Sequence, residues 1–352
     1  MNPVIKNDLA ELIENCGNME VLKDKTIFIV GANSLIGKYF TYFLLELNRQ
    51  KSLNIKIVIL VRNIEKAKTN FGKYMDKGLE VINQDVCNQI KYSDNINYII
   101  HTAGYASPQA IINDPVGIIK ANTIGTFNVL ELAKQKNVEN ALFTSTREIY
   151  GKVEEGIKYI KEEDIGALDP MEPRNCYPES KRLAENIFVS YAKQFDVPYT
   201  ILRIAHVYGP GMEINNDGRV MADFISSIIN IKNIILNSNG TAIRSFCYIT
   251  DTINGILMTM INEKRNQVYN LSNEREPYTV REVAEKLVKL YPEKNLKVEF
   301  ADTNNEILKG GYNKIPLLQL DTGKIESIGW YPKVRLIDGI QRTIEYFERE
   351  GK

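Results

Sequence analysis

Between residues 26 and 204 the apolar positions fall into short unbroken runs separated by longer amphipathic stretches. Thr26-Ile27-Phe28-Ile29-Val30 shows no alternation, as a strand requires when both faces of its sheet are covered. Comparable runs occupy 55–61, 79–86, 98–104, 140–143 and 199–204. The segments between them carry helical spacing, notably 38–47, a stretch beginning after Pro115, and 177–195. Strands and helices alternating at this rhythm predict an α/β fold built on a Rossmann-like, doubly wound parallel sheet.

From Tyr208-Gly209-Pro210-Gly211 onward the rhythm breaks. Glycines and asparagines between short elements predict a smaller, irregular α/β substrate domain, with helices near 221–229, 252–261 and 279–290. A last helix near 337–347 closes it. Residues 1–22 read as an amphipathic helical extension (Leu9, Leu12, Ile13) packed across the outside of the fold. The expected division is 23–205 for the dinucleotide-binding domain, with 242–270 returning to it, and 206–241 plus 271–352 for the substrate domain.

A chain of 352 residues can bury one large core or two ordinary ones. Its 44 basic and 44 acidic side chains balance, so nothing steers it toward nucleic acid or an acidic membrane surface. No apolar run approaches the roughly 20 residues that span a bilayer. Four scattered cysteines with no apolar leader ahead of them read as reduced thiols in a cytoplasmic protein. With only His101 and His206 available, a multi-histidine metal site is excluded, and no metal is expected. His101, at a strand end, reads as structural.

Gly31-Ala32-Asn33-Ser34-Leu35-Ile36-Gly37 follows the first strand directly and opens a helix. A dinucleotide pyrophosphate sits at such a turn, on backbone N–H groups at the helix N-terminus. Ser34 replaces the middle glycine of the usual pattern, and the same segment also describes a tight strand-to-helix turn in another α/β protein. Arg62, ending the second strand, suits the extra phosphate of NADP, or is a solvated loop arginine; an acidic residue there would suit NAD. Asp85 and Val86 end the third strand, where Asp85 can meet an adenine amino group. Thr102-Ala103-Gly104 are small enough for a cofactor to lie against their backbone. NAD or NADP, tightly bound, is the expected cofactor.

Tyr177 and Lys181 stand four apart at the start of a helix, hence on one face. A free phenol is a weak base at neutral pH, and a neighbouring ammonium favours its ionised form. Such a tyrosinate can accept the proton of a sugar hydroxyl while hydride leaves the carbon. The spacing alone equally describes an ordinary amphipathic helix start.

Taken in order, Gly31 to Gly37, Asn122, Thr146, Tyr177-x-x-x-Lys181 and Arg203-Ile204-Ala205-His206-Val207-Tyr208-Gly209-Pro210 resemble the extended short-chain dehydrogenases of the NAD-dependent epimerase/dehydratase family. The resemblance runs from about residue 24 to 350. It leans toward UDP-glucuronate decarboxylases through Pro173-Arg174-Asn175-Cys176-Tyr177, Asn216-Asp217-Gly218-Arg219-Val220 and Arg244-Ser245-Phe246-Cys247-Tyr248, with dTDP-glucose 4,6-dehydratases a little further off. The resemblance implies a nucleotide-diphosphate sugar as partner and substrate. Thr146 and Tyr177 would hold its C4 hydroxyl, Lys181 the nicotinamide ribose, and Asn122 would join the cofactor site. Arg219 and Arg244 would meet the diphosphate, as would His206, where the family usually has asparagine. Homodimerisation through a four-helix interface, helices near 116–135 and 177–195 from each copy, is implied in the same way.

The triplet Thr146-Arg147-Glu148 bears on the reaction. Glu148 matches the glutamate that the family's dehydratases and decarboxylases present near C5 and C6, whereas simple 4-epimerases often lack it. Arg147 replaces the aspartate or serine of those relatives and stays protonated at neutral pH. Two placements are open: facing C6 to hold an anionic substituent, or turned away to pair with Glu148 or Asp164. The expectation is a 4,6-dehydratase or decarboxylase working through a transient 4-keto sugar in surface-polysaccharide sugar biosynthesis. The alternatives are a 4-epimerase, perhaps of a uronate, and a non-catalytic dinucleotide-binding protein.

Overall fold

The computed structural model describes residues 1–75, 78–104, 106–215, 217–301 and 319–351; Asn216, quoted above, and positions 302–318 of the expected substrate domain lie outside them. The apolar runs form β1 (Thr26–Val30), β2 (Lys56–Val61), β3 (Leu79–Asn83), β4 (Tyr98–His101), β5 (Asn140–Thr146) and β6 (Tyr199–Ile204). A further strand, β7 (Gln267–Leu271), completes a seven-stranded sheet in the order β7-β6-β5-β4-β1-β2-β3. All of its pairings are parallel. This is the expected Rossmann-like architecture. β3 and β4 stop earlier than their apolar runs suggested, so Asp85, Val86 and Thr102 to Gly104 lie on the loops beyond the strand ends.

Both faces of the sheet are covered, which is why its strands read as unbroken apolar runs. Flanking helices are α1 (Pro3–Asn15), α2 (Leu35–Lys51), α3 (Pro115–Lys136), α4 (Cys176–Phe195), α5 (Ile249–Ile261) and α6 (Leu336–Arg349). Alternate strand residues go to opposite layers. Ile27, Ile29, Ile57 and Ile59 join Leu9 of α1, Phe40 and Phe43 of α2, Ile253 of α5 and Ile344 of α6 in one core. Phe28, Val30, Val58 and Leu60 join Val129 and Leu130 of α3 and Phe188 of α4 in the other.

α1 is woven into the fold rather than laid over it. Asn2 caps it, accepting from the Val4 amide at 2.9 Å, and Pro3 occupies the first turn, where a missing N–H costs nothing. From its buried face Asp8 accepts hydrogen bonds from Tyr39 on α2 (3.2 Å), Tyr248 (2.7 Å) and Arg342 on α6 (3.0 Å). The chain order places β1 and β4 side by side with their crossovers leaving in opposite directions. Beyond their carboxyl ends lies the crevice in which open α/β sheets bind ligands.

Candidate active site

Two glycines set the width of that crevice. Gly31 has φ +87°, and a Cβ there would come within 2.7 Å of the Ala103 nitrogen. At Gly37 a Cβ would lie 2.6 Å from the Gly31 carbonyl oxygen and 2.8 Å from Thr102 Oγ1. Neither position admits a side chain without parting the turn from β4. Ser34 is the N-cap of α2, its Oγ accepting from the Gly37 amide at 3.1 Å and lying 3.2 Å from Thr102 Oγ1. The amides of Leu35 and Ile36, in the first turn, are those a helix offers to an anion. Asn33 is tied sideways, donating to the Asn63 carbonyl at 2.8 Å.

Beyond β3, where the adenosine is expected, Asp85 accepts from the Cys87 amide at 2.8 Å, and Val86 packs beneath the Gly125 position of α3. Arg62 lies 3.8 Å from the Asp85 carboxylate. The cation expected to welcome an added phosphate therefore stands beside an anion that repels one. Toward α4, where the nicotinamide is expected, Asn122 is fully buried and donates to Ser180 Oγ at 2.9 Å. Its Oδ1, close against Gly104, has no partner within the protein. A glycine-narrowed turn, a helix N-terminus and an orphaned buried acceptor fit a dinucleotide.

Thr146 ends β5 and caps the following 3-10 turn, Arg147–Tyr150, accepting from the Glu148 amide at 3.2 Å. Tyr177 and Lys181 lie one turn apart at the start of α4, and both are buried. Lys181 Nζ donates to the Thr144 carbonyl at 2.9 Å and sits 4.4 Å from the centre of the Phe143 ring. The electrostatics differ from the expectation that the ammonium acidifies the phenol. Burial pushes Tyr177 above the usual tyrosine range, and Glu148 pushes the same way. The groups pulling it down are the Thr146 hydroxyl, Arg174 and Arg219. Lys181 is itself pulled down to about 7 by burial, against the upward pull of Glu185.

Glu148 pairs with Arg174, Nη1 to Oε2 at 2.6 Å and Nη2 to Oε1 at 3.1 Å. The Arg147–Glu148 or Arg147–Asp164 pairing considered above is thereby replaced: Asp164 instead accepts from the Lys161 amide at 2.8 Å. Arg147 is packed inside the protein, where burial lowers its pKa to about 10 and Glu274 is its strongest opposing charge. His206 is half-buried with φ +40°; its surroundings hold the ring neutral, and its inaccessible Nδ1 is unpartnered among the described residues. Arg244 bonds the Ile243 carbonyl at 2.9 Å and feels Glu148 as its opposite charge. Arg219 forks onto Asp217, with Nη2 to Oδ2 at 2.9 Å.

Sequence reasoning assigned no work to Arg174, Glu274 or Asp217, nor to the buried Arg203–Glu185 pair (2.7 Å), onto which Ser145 also donates at 2.5 Å. Of these, Arg174, Asp217 and Arg203 stand in motifs quoted above, which name no partner for any of them.

Comparison with known proteins follows the geometry. Residues 27–272 match the model of the NAD dependent epimerase/dehydratase family. UDP-glucuronic acid decarboxylase 1 of Danio rerio is 31% identical over 330 residues, covering 93% of this chain and 73% of its own. UDP-glucuronic acid decarboxylase 5 of Arabidopsis thaliana is 31% identical over 322 residues, covering 91% and 89%. The solved UDP-glucose 4-epimerase of Thermotoga maritima superposes with a TM-score of 0.78 at 22% identity, covering 93% of this chain and all of that one (100%). A dTDP-glucose 4,6-dehydratase from Bacillus anthracis gives 0.73 at 20% identity, covering 92% and 97%.

Proposed function

The chain belongs to the NAD-dependent epimerase/dehydratase family, and on that premise we propose that it oxidises C4 of a nucleotide-diphosphate hexose to a transient ketone and then works at C5 and C6. One observation carries this reading: Thr146, Tyr177 and Lys181 gather beside the glycine-narrowed crevice with the Glu148–Arg174 pair next to them. A pure dinucleotide binder has no need of that gathering. Bound NAD supplies the hydride acceptor; NAD is favoured over NADP because Asp85 flanks Arg62.

Tyr177 accepts the C4 hydroxyl proton while the Thr146 hydroxyl holds the same oxygen. Because burial pushes the phenol's pKa up, its ionisation leans first on the hydrogen bond to the Thr146 hydroxyl. The resulting ketone acidifies C5, where Glu148 acts. Arg244, Arg219 and His206 face the diphosphate. Residues 23–205 with 242–270 form the cofactor half, and 206–241 with 271–352 the sugar half.

UDP-glucuronate is the first substrate to test, on the strength of the decarboxylases that are 31% identical to this chain. Loss of the C6 carboxylate as carbon dioxide is then the reaction. 4,6-Dehydration is the second reading, favoured by the Glu148–Arg174 pair, which holds a carboxylate in one orientation beside Tyr177. Among the described residues no helix is long and apolar enough to cross a membrane, and a cytoplasmic setting fits the free cysteines. The exposed apolar side chains Ile119, Phe127, Leu183 and Val189 on α3 and α4 support pairing of two copies through a four-helix interface.

The test is direct. The purified protein is extracted for bound NAD(H), then offered UDP-glucuronate and dTDP-glucose. Carbon dioxide release identifies decarboxylation, a 4-keto-6-deoxy product dehydration, and an unchanged mass epimerisation. Absence of bound dinucleotide, together with no turnover of any UDP-, dTDP-, GDP- or CDP-sugar, overturns the enzymatic reading.

A further inference from the structure

Arg174 sits on the 3-10 turn Pro173–Asn175, directly ahead of α4. Its partner Glu148 lies 26 residues earlier, on the turn that follows Thr146. Both side chains are largely buried, 10% and 22% exposed, so water screens the pair poorly. The fork is therefore a staple. It joins the turn carrying Thr146 and Glu148 to the turn leading into Tyr177, across the excursion 151–172. A bidentate guanidinium uses one lone pair on each carboxylate oxygen and fixes the plane of the group, which leaves a second lone pair on each.

We propose that Arg174 is a positioning residue for the C5 step: it fixes the plane of Glu148, so that the carboxylate exchanges a proton with the sugar's C5. This rests on the function proposed above. In dehydration the C5 proton passes to Glu148, and the C–H electron pair becomes the C5–C6 π bond as the C6–O bond breaks. The departing hydroxide takes that proton and leaves as water; C6 then takes back the hydride removed from C4 while C5 takes a solvent-derived proton through Glu148. In decarboxylation the C5–C6 electron pair moves into the C4 enolate as carbon dioxide departs, and C5 then takes a solvent-derived proton through Glu148. Either route leaves one solvent hydrogen on C5. Oxidation at C4 is the work of Thr146 and Tyr177, on which Arg174 acts only through its charge and without a bond.

The two steps can be read separately in D2O with UDP-glucuronate and, in parallel, dTDP-glucose. Reduced-nicotinamide absorbance reports C4 oxidation, and product mass reports deuterium at C5. For Arg174→Met the expected result is a C5 step slowed about 10- to 100-fold, the worth of a hydrogen-bonded charge contact, with C4 oxidation slowed at least about threefold less than the C5 step. Arg174→Lys, able to make one of the two bonds, recovers part of the loss. In a Glu148→Gln background, Arg174→Met adds less than about threefold, because the two residues act as one unit. Equal slowing of both steps, full additivity in the double variant, or no recovery with lysine overturns the proposal. If Arg174→Met does not fold, Arg174→Lys decides: selective slowing of the C5 step supports the proposal, and wild-type rates refute it. Failure of the wild-type protein to oxidise either sugar instead sinks the function on which the inference rests.

Discussion

Replacing Asp8 by alanine tests whether α1 is a structural member of the fold. The Asp8 carboxylate is 1% exposed and receives Tyr248, Tyr39 and Arg342 at 2.7, 3.2 and 3.0 Å. In Asp8→Ala two buried phenols lose this acceptor, at about 1–3 kcal/mol for each donor left unmade. Arg342 keeps its bond to Glu11 at 2.8 Å and loses less. Part of the cost is returned because a desolvated carboxylate disappears; its pKa, raised by burial, records that penalty. The net expectation is a loss of about 2–4 kcal/mol, a fall in Tm on the order of 5 °C. Glu11→Ala is the internal control, since its partly exposed pair with Arg342 is worth less than about 1 kcal/mol. Thermal unfolding of both variants, with cofactor content matched, reads the difference. If the two unfold together within about 1 °C, the buried carboxylate is not the tie described here.

Three further outcomes follow from the site. Tyr177→Phe is expected to abolish turnover while thermal stabilisation by the cognate nucleotide sugar stays within a few-fold in affinity; near-normal turnover removes the tyrosine from its role. Gly37→Ala places a methyl 2.6 Å from the Gly31 carbonyl, costing about 1–3 kcal/mol and weakening dinucleotide binding at least tenfold; unchanged retention of NAD contradicts the crevice geometry. Lys181 has a folded pKa of about 7, below its unfolded value, so the folded state binds fewer protons between the two and stability rises with pH across that window. In dinucleotide-free protein, Lys181→Met should flatten the gain between about pH 7 and 9.5, worth a few kcal/mol at most; an unaltered slope in urea titrations assigns the effect elsewhere.

What could be read in advance follows the range of the forces involved. β1 and β2 announced themselves because burial on both faces demands uninterrupted apolar residues, and the glycine turn because sterics are local. β7 was not anticipated as a strand. Its fully buried Asn270 is satisfied by groups distant in sequence, donating to the Ile160 and Asp321 carbonyls at 2.9 and 3.0 Å, which no local pattern places. The environment of Tyr177 was misjudged for a related reason. Helical spacing gives Lys181 the right face, but the Thr144 carbonyl that takes its ammonium lies 37 residues away. Glu148 and Arg174, each visible in a motif, could be joined only once the excursion between them had folded back.

The seat of α1 also sets a timetable for biosynthesis. Asp8 meets Arg342 across 334 residues, so part of the surface that α1 rests on is made long after it, while α2 with Tyr39 follows it closely. At roughly 5–20 residues per second the greasy side bearing Leu9, Leu12 and Ile13 waits some tens of seconds for the rest of its cover. Nascent chains stalled before residue 336 should therefore be avid clients of chaperones, and release should coincide with arrival of the final helix.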